Sequence, residues 1–229
     1  LRDIEKEDSQ NFNIVVLSSR PNLTSNIFDV DSINRKKIIS VIKAIKRCDI
    51  LISGGGSLFQ NETSNRSLYY YLFQIFLAKL FKKKVFVFSQ GIGPINKWYN
   101  ILIFKLIINL VDNITVRDYD SFDFLHKLKI KKNIELSADP AFLLKPCCDM
   151  RVEKILSRYG IDFSKKTIGI VVRKWKKERD MTQKIAKIAD SLIENEGYNV
   201  CFIPFQGKWD IVKINEIVDK MKNKPYVLE

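Results

Sequence analysis

Two glycine-rich turns in this sequence each follow a short apolar run. Residues 54–57 read Gly-Gly-Gly-Ser after the run at 50–53, and residues 90–93 read Gln-Gly-Ile-Gly after the run at 85–89. Glycine lets backbone N–H groups approach a ligand closely, and a helix that follows such a turn favours anions at its N-terminus. Neither turn has the spacing of a P-loop or of a dinucleotide-binding loop. Each turn alone could equally be a tight connection that binds no ligand. A ligand-binding site is therefore predicted only where both turns meet.

An arginine follows the next apolar run. Arg117 comes directly after residues 113–116, and Asp118 follows it. A guanidinium can bind a carboxylate or a phosphate through two parallel hydrogen bonds. An equally good explanation for Arg117 is that it forms a salt bridge to Asp118 or Asp120, with the acidic residue capping the next helix. Asp139 ends a fourth run just before a proline, where we expect a structural turn.

Short apolar runs alternate with longer helical patterns along the whole chain. This alternation is typical of βαβ units and of a mostly parallel sheet. The sequence therefore predicts an α/β fold, with first-half strands at residues 13–17, 50–53, 85–89, 113–116 and 134–136. In open parallel sheets, ligands bind beside the carboxyl ends of the strands. Because both glycine turns and Arg117 follow such ends, we expect them to meet at one edge of the sheet.

Helices are predicted between these strands. The helix around residues 38–45 is amphipathic, whereas those at 68–81 and 98–111 are unusually apolar. Two explanations are open for the apolar pair. The first is that these helices lie at a lipid interface, where the excess of lysine would also be favourable. The aromatic side chains that would suit such an interface are Tyr69, Tyr70, Tyr71, Trp98 and Tyr99. The second, which we prefer, is that both helices pack into the core, because crossover helices in α/β folds bury broad faces.

The composition changes after residues 146–148, which we take as a linker between two domains. We predict an N-terminal Rossmann-like domain at residues 1–146 and the start of a C-terminal one at 147–229. In the second domain a helix ends at Gly160, a typical C-terminal cap. Strands are predicted at 167–172 and 200–203, each followed by an amphipathic helix. Because these elements do not complete a doubly wound domain, and the chain starts at Leu1, we expect a fragment that is cut at both ends.

The charge balance favours anionic partners. The 229 residues contain 39 Lys and Arg against 26 Asp and Glu, a formal net charge of +13. This charge suits phosphorylated metabolites, nucleic acid or an acidic membrane surface, but no nucleic-acid-binding module is recognisable. The cysteines show no paired spacing, which argues against a metal site and fits a reducing compartment. No apolar run has the length of a membrane span, and no signal peptide opens the chain.

Four stretches carry a resemblance to a known family. In order they read GGGSLFQNETSNRSLYYY, FSQGIGPI, ITVRDYDSFDFL and SADPAFLL. From about residue 14 to residue 210, the chain resembles the polysaccharide pyruvyl transferase family, close to the branch that pyruvylates secondary cell-wall glycan. The resemblance implies two Rossmann-like domains in a glycosyltransferase-B-like (GT-B-like) arrangement, the second truncated.

The resemblance also implies an activity. The donor substrate would be phosphoenolpyruvate, the acceptor a sugar of a lipid-linked cell-surface glycan precursor, and the product a ketal-linked pyruvate. Neither a cofactor nor a metal is implied, and nucleic acid is not an expected partner. We expect a cytoplasmic protein with peripheral contact at the inner face of the membrane.

The substrate-binding residues follow from the resemblance by position. In the first half they would be Gly54, Gly55, Gly56, Ser57, Gln90, Gly91, Gly93, Arg117 and Asp118, lining the cleft between the domains. Arg173, at the end of a predicted strand, would grip the donor, since a planar guanidinium binds carboxylate and phosphate better than an ammonium does. The alternative for Arg173 is a surface cation in the basic run 173–177. Residues 204–210 resemble the next loop of the family.

The chain departs from the family in two places. The glycine-rich strand and loop that open the family are absent, and the functional histidine of the family would lie beyond residue 229. The catalytic residues therefore stay unassigned, and whether the fragment is active alone is open. The one histidine present, His126, matches no motif, and we expect a surface or capping role for it.

Two rival functions remain. A glycosyltransferase that uses a nucleotide sugar would share the paired architecture, because fold does not determine function. A non-catalytic module that binds an anionic polymer or a membrane would fit the positive charge, and its affinity would fall steeply with salt.

Overall fold

The computed structural model of the chain describes residues 12–62, 64–173 and 180–228. The chain divides into two compact units, Leu1–Leu144 and Lys145–Glu229. Each unit has its own cluster of buried apolar side chains. The division falls close to the boundary predicted after residue 146.

Parallel strands form the first unit. They are β1 (Val15–Ser18), β2 (Asp31–Asn34), β3 (Ile50–Gly54), β4 (Lys84–Gln90), β5 (Asn113–Val116) and β6 (Ile134–Leu136). Strands β3 to β6 lie side by side in chain order as a four-stranded sheet, and β1 pairs with β2 in a separate two-stranded sheet. The parallel α/β fold predicted from the sequence is confirmed, and it is consistent with a Rossmann-like fold.

Helices connect these strands. They are α1 (Pro21–Phe28), α2 (Ile38–Arg47), α3 (Asn65–Leu80), α4 (Trp98–Ile108) and α5 (Tyr119–Lys127). Ser64 caps α3, and its hydroxyl accepts a hydrogen bond from the backbone of Ser67 at 3.1 Å. Within the described part of the chain, no helix combines the length and the apolar character that crossing a membrane requires.

The sequence does not predict β2 or α1. Strand β2 reads Asp-Ser-Ile-Asn, so a single apolar side chain gives no pattern, and α1 is short with mixed polarity. The sequence predicts one mostly parallel sheet, whereas in the structure β1 and β2 form a separate two-stranded sheet. Pairing between strands is a long-range contact that local patterns do not determine.

The core of the first unit lies between the sheet and its helices. Strands β4 and β5 bury Val85, Val87, Ile114 and Val116 completely or nearly so. Helices α3 and α4 cover them with one face each, on which the buried side chains are Leu68, Leu72, Ile75, Phe104 and Ile108. The prediction that these two helices pack into the core is therefore correct for one face of each helix. The opposite faces are also apolar, but they are exposed.

The second unit is a smaller α/β layer. Its parallel sheet has the order β7 (Thr167–Ile170), β8 (Asn199–Phe202), β9 (Tyr226–Val227), and its helices are α6 (Asp149–Leu156), α7 (Thr182–Glu194) and α8 (Lys208–Val218). After α6, a short 3₁₀ turn ends at Gly160, whose φ of 68° lies in the left-handed region. The predicted glycine cap is thus confirmed.

A buried carboxylate fixes the end of this unit. Asp190 on α7 accepts hydrogen bonds from the backbone N–H of Lys222 at 3.0 Å and of Asn223 at 2.8 Å, and from the Asn223 side chain at 3.1 Å. Burial raises the pKa of Asp190, but these donors outweigh it and hold the pKa below its usual value. The carboxylate therefore stays ionised and ties α7 to the turn before β9.

Replacing Asp190 should destabilise the second unit. Asp190→Ala leaves two backbone donors without their acceptor, so we expect the free energy of unfolding to fall by about 2 kcal/mol. Urea denaturation followed by circular dichroism measures the change. The control is Glu196→Ala at an exposed position of the same unit, which should change stability by no more than about 0.5 kcal/mol. Equal effects of the two substitutions would contradict the role given to Asp190.

Candidate functional site

The first glycine turn extends from the carboxyl end of β3. Gly55 and Gly56 have φ values of 63° and 72°, in the region that other residues adopt only with strain. A side chain built on either residue would meet no atom within 4 Å. Backbone conformation, rather than crowding, therefore requires glycine here.

The side chain of Gln90 holds this turn in place. Its amide nitrogen donates to the carbonyl oxygens of Ser53 at 3.2 Å and Gly55 at 2.7 Å, and its amide oxygen accepts from the N–H of Leu58 at 3.2 Å. Gln90 is completely buried. Both of its N–H donors are used inside the protein, so the structure gives it a positioning role. A direct contact between Gln90 and a substrate stays a prediction.

Backbone hydrogen bonds join the two glycine turns. The N–H of Gly91 donates to the carbonyl of Gly56 at 2.8 Å, and the N–H of Gly93 donates to that of Phe59 at 2.8 Å. The turns therefore continue the pairing of β3 with β4 beyond the strands. As the sequence predicts, they lie together at the carboxyl edge of the sheet.

Arg117 reaches across this edge from the end of β5. Its guanidinium lies 2.6 Å from the carboxylate of Asp139 and 3.5 Å from that of Asp118, and it donates to the hydroxyl of Ser57 at 2.9 Å. Asp118 also caps α5 by accepting from the N–H of Ser121 at 2.8 Å. The salt bridge to Asp118 and the helix cap are thus confirmed, and binding of a ligand by Arg117 stays a prediction.

Gly91 makes room for the guanidinium. A side-chain carbon on Gly91 would lie 2.7 Å from the hydroxyl of Ser57 and 2.9 Å from Nε of Arg117. Both distances are shorter than van der Waals contact. Arg117 can therefore occupy its position only because residue 91 has no side chain.

Two carboxylates at this edge are held ionised. Burial raises the pKa of Asp118, but Ser121 and Arg117 outweigh it and bring the pKa below its usual value. The backbone N–H of Ala141 and then Arg117 lower the pKa of Asp139. Both groups are therefore negatively charged at neutral pH.

An open cavity of about 370 Å³ lies beside these residues. It is lined by Ser57, Gly91, Ile92, Gly93, Pro94, Asp118, Asp120, Ser121 and Phe124. Its volume is in the range of small-molecule sites. Because Asp118 and Asp120 line it, this edge offers hydrogen-bond acceptors and negative charge.

In the second unit, the corresponding edge carries Arg173. This exposed residue follows β7, and the loop at 204–207 follows the neighbouring strand β8. The buried carboxylate of Asp210 fixes that loop by accepting from the N–H of Phe205 at 3.0 Å and of Gln206 at 2.6 Å. The rest of the basic run, residues 174–177, lies outside the described residues.

A family model described as polysaccharide pyruvyl transferase matches residues 1–220. The chain belongs to this family. Membership indicates a transferase. No curated protein matches the chain significantly.

For this member of the polysaccharide pyruvyl transferase family, the structure separates the predicted site residues into two groups. Those of the first half lie together at one edge: Gly54, Gly55, Gly56, Ser57, Gln90, Gly91, Gly93, Arg117 and Asp118. Arg173 belongs to the second unit. Substrate contacts by either group stay predictions. His126 is exposed on α5 and contacts the ring of Phe122, which confirms the expected surface position.

Sequence reasoning missed one member of the edge. Asp139 forms the expected turn, since it accepts from the N–H of Ala141 at 3.0 Å. It is also the nearest carboxylate partner of Arg117. The available signal was that β5 and β6 are consecutive parallel strands, so residues just after their ends become neighbours.

Substituting Gly91 should displace Arg117. In Gly91→Ala the new methyl group would overlap Ser57 and the guanidinium, so we expect a shifted Arg117 Nε–H signal in the NMR spectrum and a loss of about 1 kcal/mol in unfolding free energy. The matched control is Gly54→Ala, whose methyl group would lie 3.6 Å from Ile52 in ordinary contact. An unchanged Arg117 signal in Gly91→Ala would contradict the close approach.

Removing the guanidinium should raise two pKa values. Because Arg117 lowers the pKa of both Asp118 and Asp139, Arg117→Met should shift both carboxyl groups toward the usual aspartate value. The pKa of Asp139 should stay partly lowered, since Ala141 still donates to it. In the unaltered protein the ion pairs are intact above the usual aspartate pKa and are lost as the pH falls through the lowered values.

Carbon-13 NMR titration of the carboxyl groups measures these shifts. Asp162 is the internal control, because its pKa is lowered by Ser164 and not by Arg117. An equal shift at Asp162 would indicate a general change of the fold. Unchanged values at Asp118 and Asp139 would contradict the pairing.

Proposed function

We propose that this protein transfers the pyruvyl group of phosphoenolpyruvate to a sugar of a lipid-linked cell-surface glycan precursor, in the cytoplasm, and forms a ketal. The observation that carries the proposal is membership of the polysaccharide pyruvyl transferase family over residues 1–220. We further propose that the first unit binds the acceptor and the second unit binds the donor.

The edge of the first unit suits the acceptor. Asp118 and Asp139 pair with the guanidinium of Arg117, and Asp120 lines the neighbouring cavity together with Asp118. An acidic edge repels a donor that carries both a carboxylate and a phosphate, whereas ionised carboxylates accept hydrogen bonds from sugar hydroxyls well. We therefore assign the acceptor sugar to the cavity beside Gly91 and Asp118.

The edge of the second unit suits the donor. Arg173 is a guanidinium at the carboxyl end of a parallel strand, where α/β folds bind ligands, and planar Arg recognises carboxylate and phosphate. In this proposal, the two units act as the GT-B-like pair implied by the resemblance, the first binding the acceptor and the second the donor.

The chemistry requires two new carbon–oxygen bonds and no redox step. One sugar hydroxyl attacks the carbon of phosphoenolpyruvate that bears the phosphate, and the methylene carbon takes up a proton to become a methyl group. A second hydroxyl of the same sugar forms the other ketal bond as the carbon–oxygen bond to phosphate breaks. Of the two hydroxyl protons, one balances the new methyl group and the other leaves with phosphate.

Donor identity tests the proposal. Full-length protein with an acceptor glycan is supplied either with phosphoenolpyruvate or with a nucleotide sugar, and the released phosphate or nucleotide is measured. We expect acceptor-dependent phosphate release with phosphoenolpyruvate. Nucleotide release alone would establish the glycosyltransferase rival instead.

Arg173 should determine donor affinity. We expect Arg173→Ala to weaken phosphoenolpyruvate binding in calorimetry by about tenfold to a hundredfold, because hydrogen bonds to a charged group are worth about 1.5–3 kcal/mol. The control is Arg158→Ala, an exposed arginine of the same unit, which should leave affinity unchanged. Unchanged donor affinity in Arg173→Ala would remove Arg173 from the site.

A further inference from the structure

Helices α3 and α4 together expose a continuous apolar surface. On α3 the exposed residues recur with helical spacing at Tyr69, Phe73, Phe76 and Leu80, and on α4 and just after it at Trp98, Leu102, Leu106 and Leu110. We call these eight residues the apolar face. A groove of about 270 Å³ connects the two helices, and its lining includes residues from both, Tyr69, Leu72, Phe73, Phe76, Ile103 and Ile107.

The packing of α3 and α4 leaves this face exposed in the part of the chain that the structure describes. Each helix already buries its opposite side against the sheet. The apolar residues outside therefore add nothing to the core of the unit, and an exposed apolar surface of this extent marks an interaction site in a soluble domain.

The charge of the surrounding segment indicates what kind of partner would bind the apolar face. Between Glu62 and Asp112 the chain contains no acidic residue and seven basic ones, Arg66, Lys79, Lys82, Lys83, Lys84, Lys97 and Lys105. Lys79 is paired with Asp112 at 2.8 Å. Lys82 to Lys84 follow the residue that caps the end of α3, and Lys97 directly precedes α4, so positive charge flanks the apolar face.

We propose that the apolar face docks on the surface of an anionic lipid bilayer. Leu and Phe side chains would enter the boundary between head groups and acyl chains, Trp98 and Tyr69 would lie at the interface, and the flanking lysines would contact lipid phosphates. A second copy of the chain is the poorer occupant, because it would bring the flanking lysines of two chains close together, and like charges repel. The proposal does not depend on the reaction proposed above.

Vesicle sedimentation tests the docking. We expect the chain to sediment with phosphatidylglycerol vesicles, to bind phosphatidylcholine vesicles much more weakly, and to be released from the former by added salt. Equal binding to both vesicle types, or binding to neither, would overturn the proposal.

A matched pair of variants locates the contact. Leu102→Gln with Leu106→Gln changes side chains that are 49% and 61% exposed, and the control Ile188→Gln with Val212→Gln changes side chains of the second unit that are 57% and 54% exposed. We expect the first variant to reduce vesicle affinity at least about tenfold and the control to leave it unchanged. Circular dichroism verifies that both variants are folded, and equal losses in the two variants would overturn the proposal.

Tryptophan fluorescence gives a second readout. Trp98 and Trp209 are similarly exposed, at 75% and 79%, but only Trp98 belongs to the apolar face. With phosphatidylglycerol vesicles we expect a blue shift of the emission that persists in Trp209→Phe and disappears in Trp98→Phe. The opposite pattern would overturn the proposal. So would a dimer in solution that Leu102→Gln with Leu106→Gln dissociates, since a second copy would then be the occupant.

Discussion

The candidate edge of the first unit depends on one buried amide. A turn of three glycines has no side chains with which to fix itself, and Gln90 supplies the missing contacts by binding the carbonyls of Ser53 and Gly55 and the N–H of Leu58. Because Gln90 is completely buried, water cannot replace these bonds, and each buried group left unpaired would cost about 1–3 kcal/mol. The fixed turn then presents the carbonyl of Gly56 to Gly91 and the hydroxyl of Ser57 to Arg117.

Arg117 connects three parts of the edge that are distant in sequence. It belongs to the end of β5, pairs with Asp139 after β6 and donates to Ser57 after β3. Its side chain is 28% exposed, and ion pairs of this kind contribute little to stability. The main role of these contacts is therefore to hold Arg117 in position. With two carboxylates already on the guanidinium, an anionic ligand would be a third anion and would be repelled by both, which favours a neutral hydroxyl-bearing ligand at this edge.

Local sequence patterns predict where strands and turns lie in the chain better than they predict which of them contact one another. The bounds of β5 and β6 agree with the prediction, and Gly160 ends its turn as expected, because each depends on a short stretch of chain. The role of Gln90 and the pairing of Asp139 with Arg117 were not predicted. Both depend on which strands become neighbours, and residues 22 to 37 positions apart make the contacts. The separate sheet of β1 and β2 was missed for the same reason.

Side-chain hydrogen bonds connect the helices of the apolar face with each other and with the segments that follow the glycine turns. The side chain of Asn100 on α4 is buried, donates to the side chain of Asn65 on α3 at 3.1 Å and accepts from the hydroxyl of Tyr69 at 2.5 Å. The side chain of Asn61 donates to the carbonyl of Asn96, so the segments that lead from both glycine turns into these helices are joined. Docking of the apolar face would therefore fix the orientation of the edge relative to the bilayer. For an acceptor carried on a lipid, this removes part of the rotational freedom that otherwise opposes the encounter.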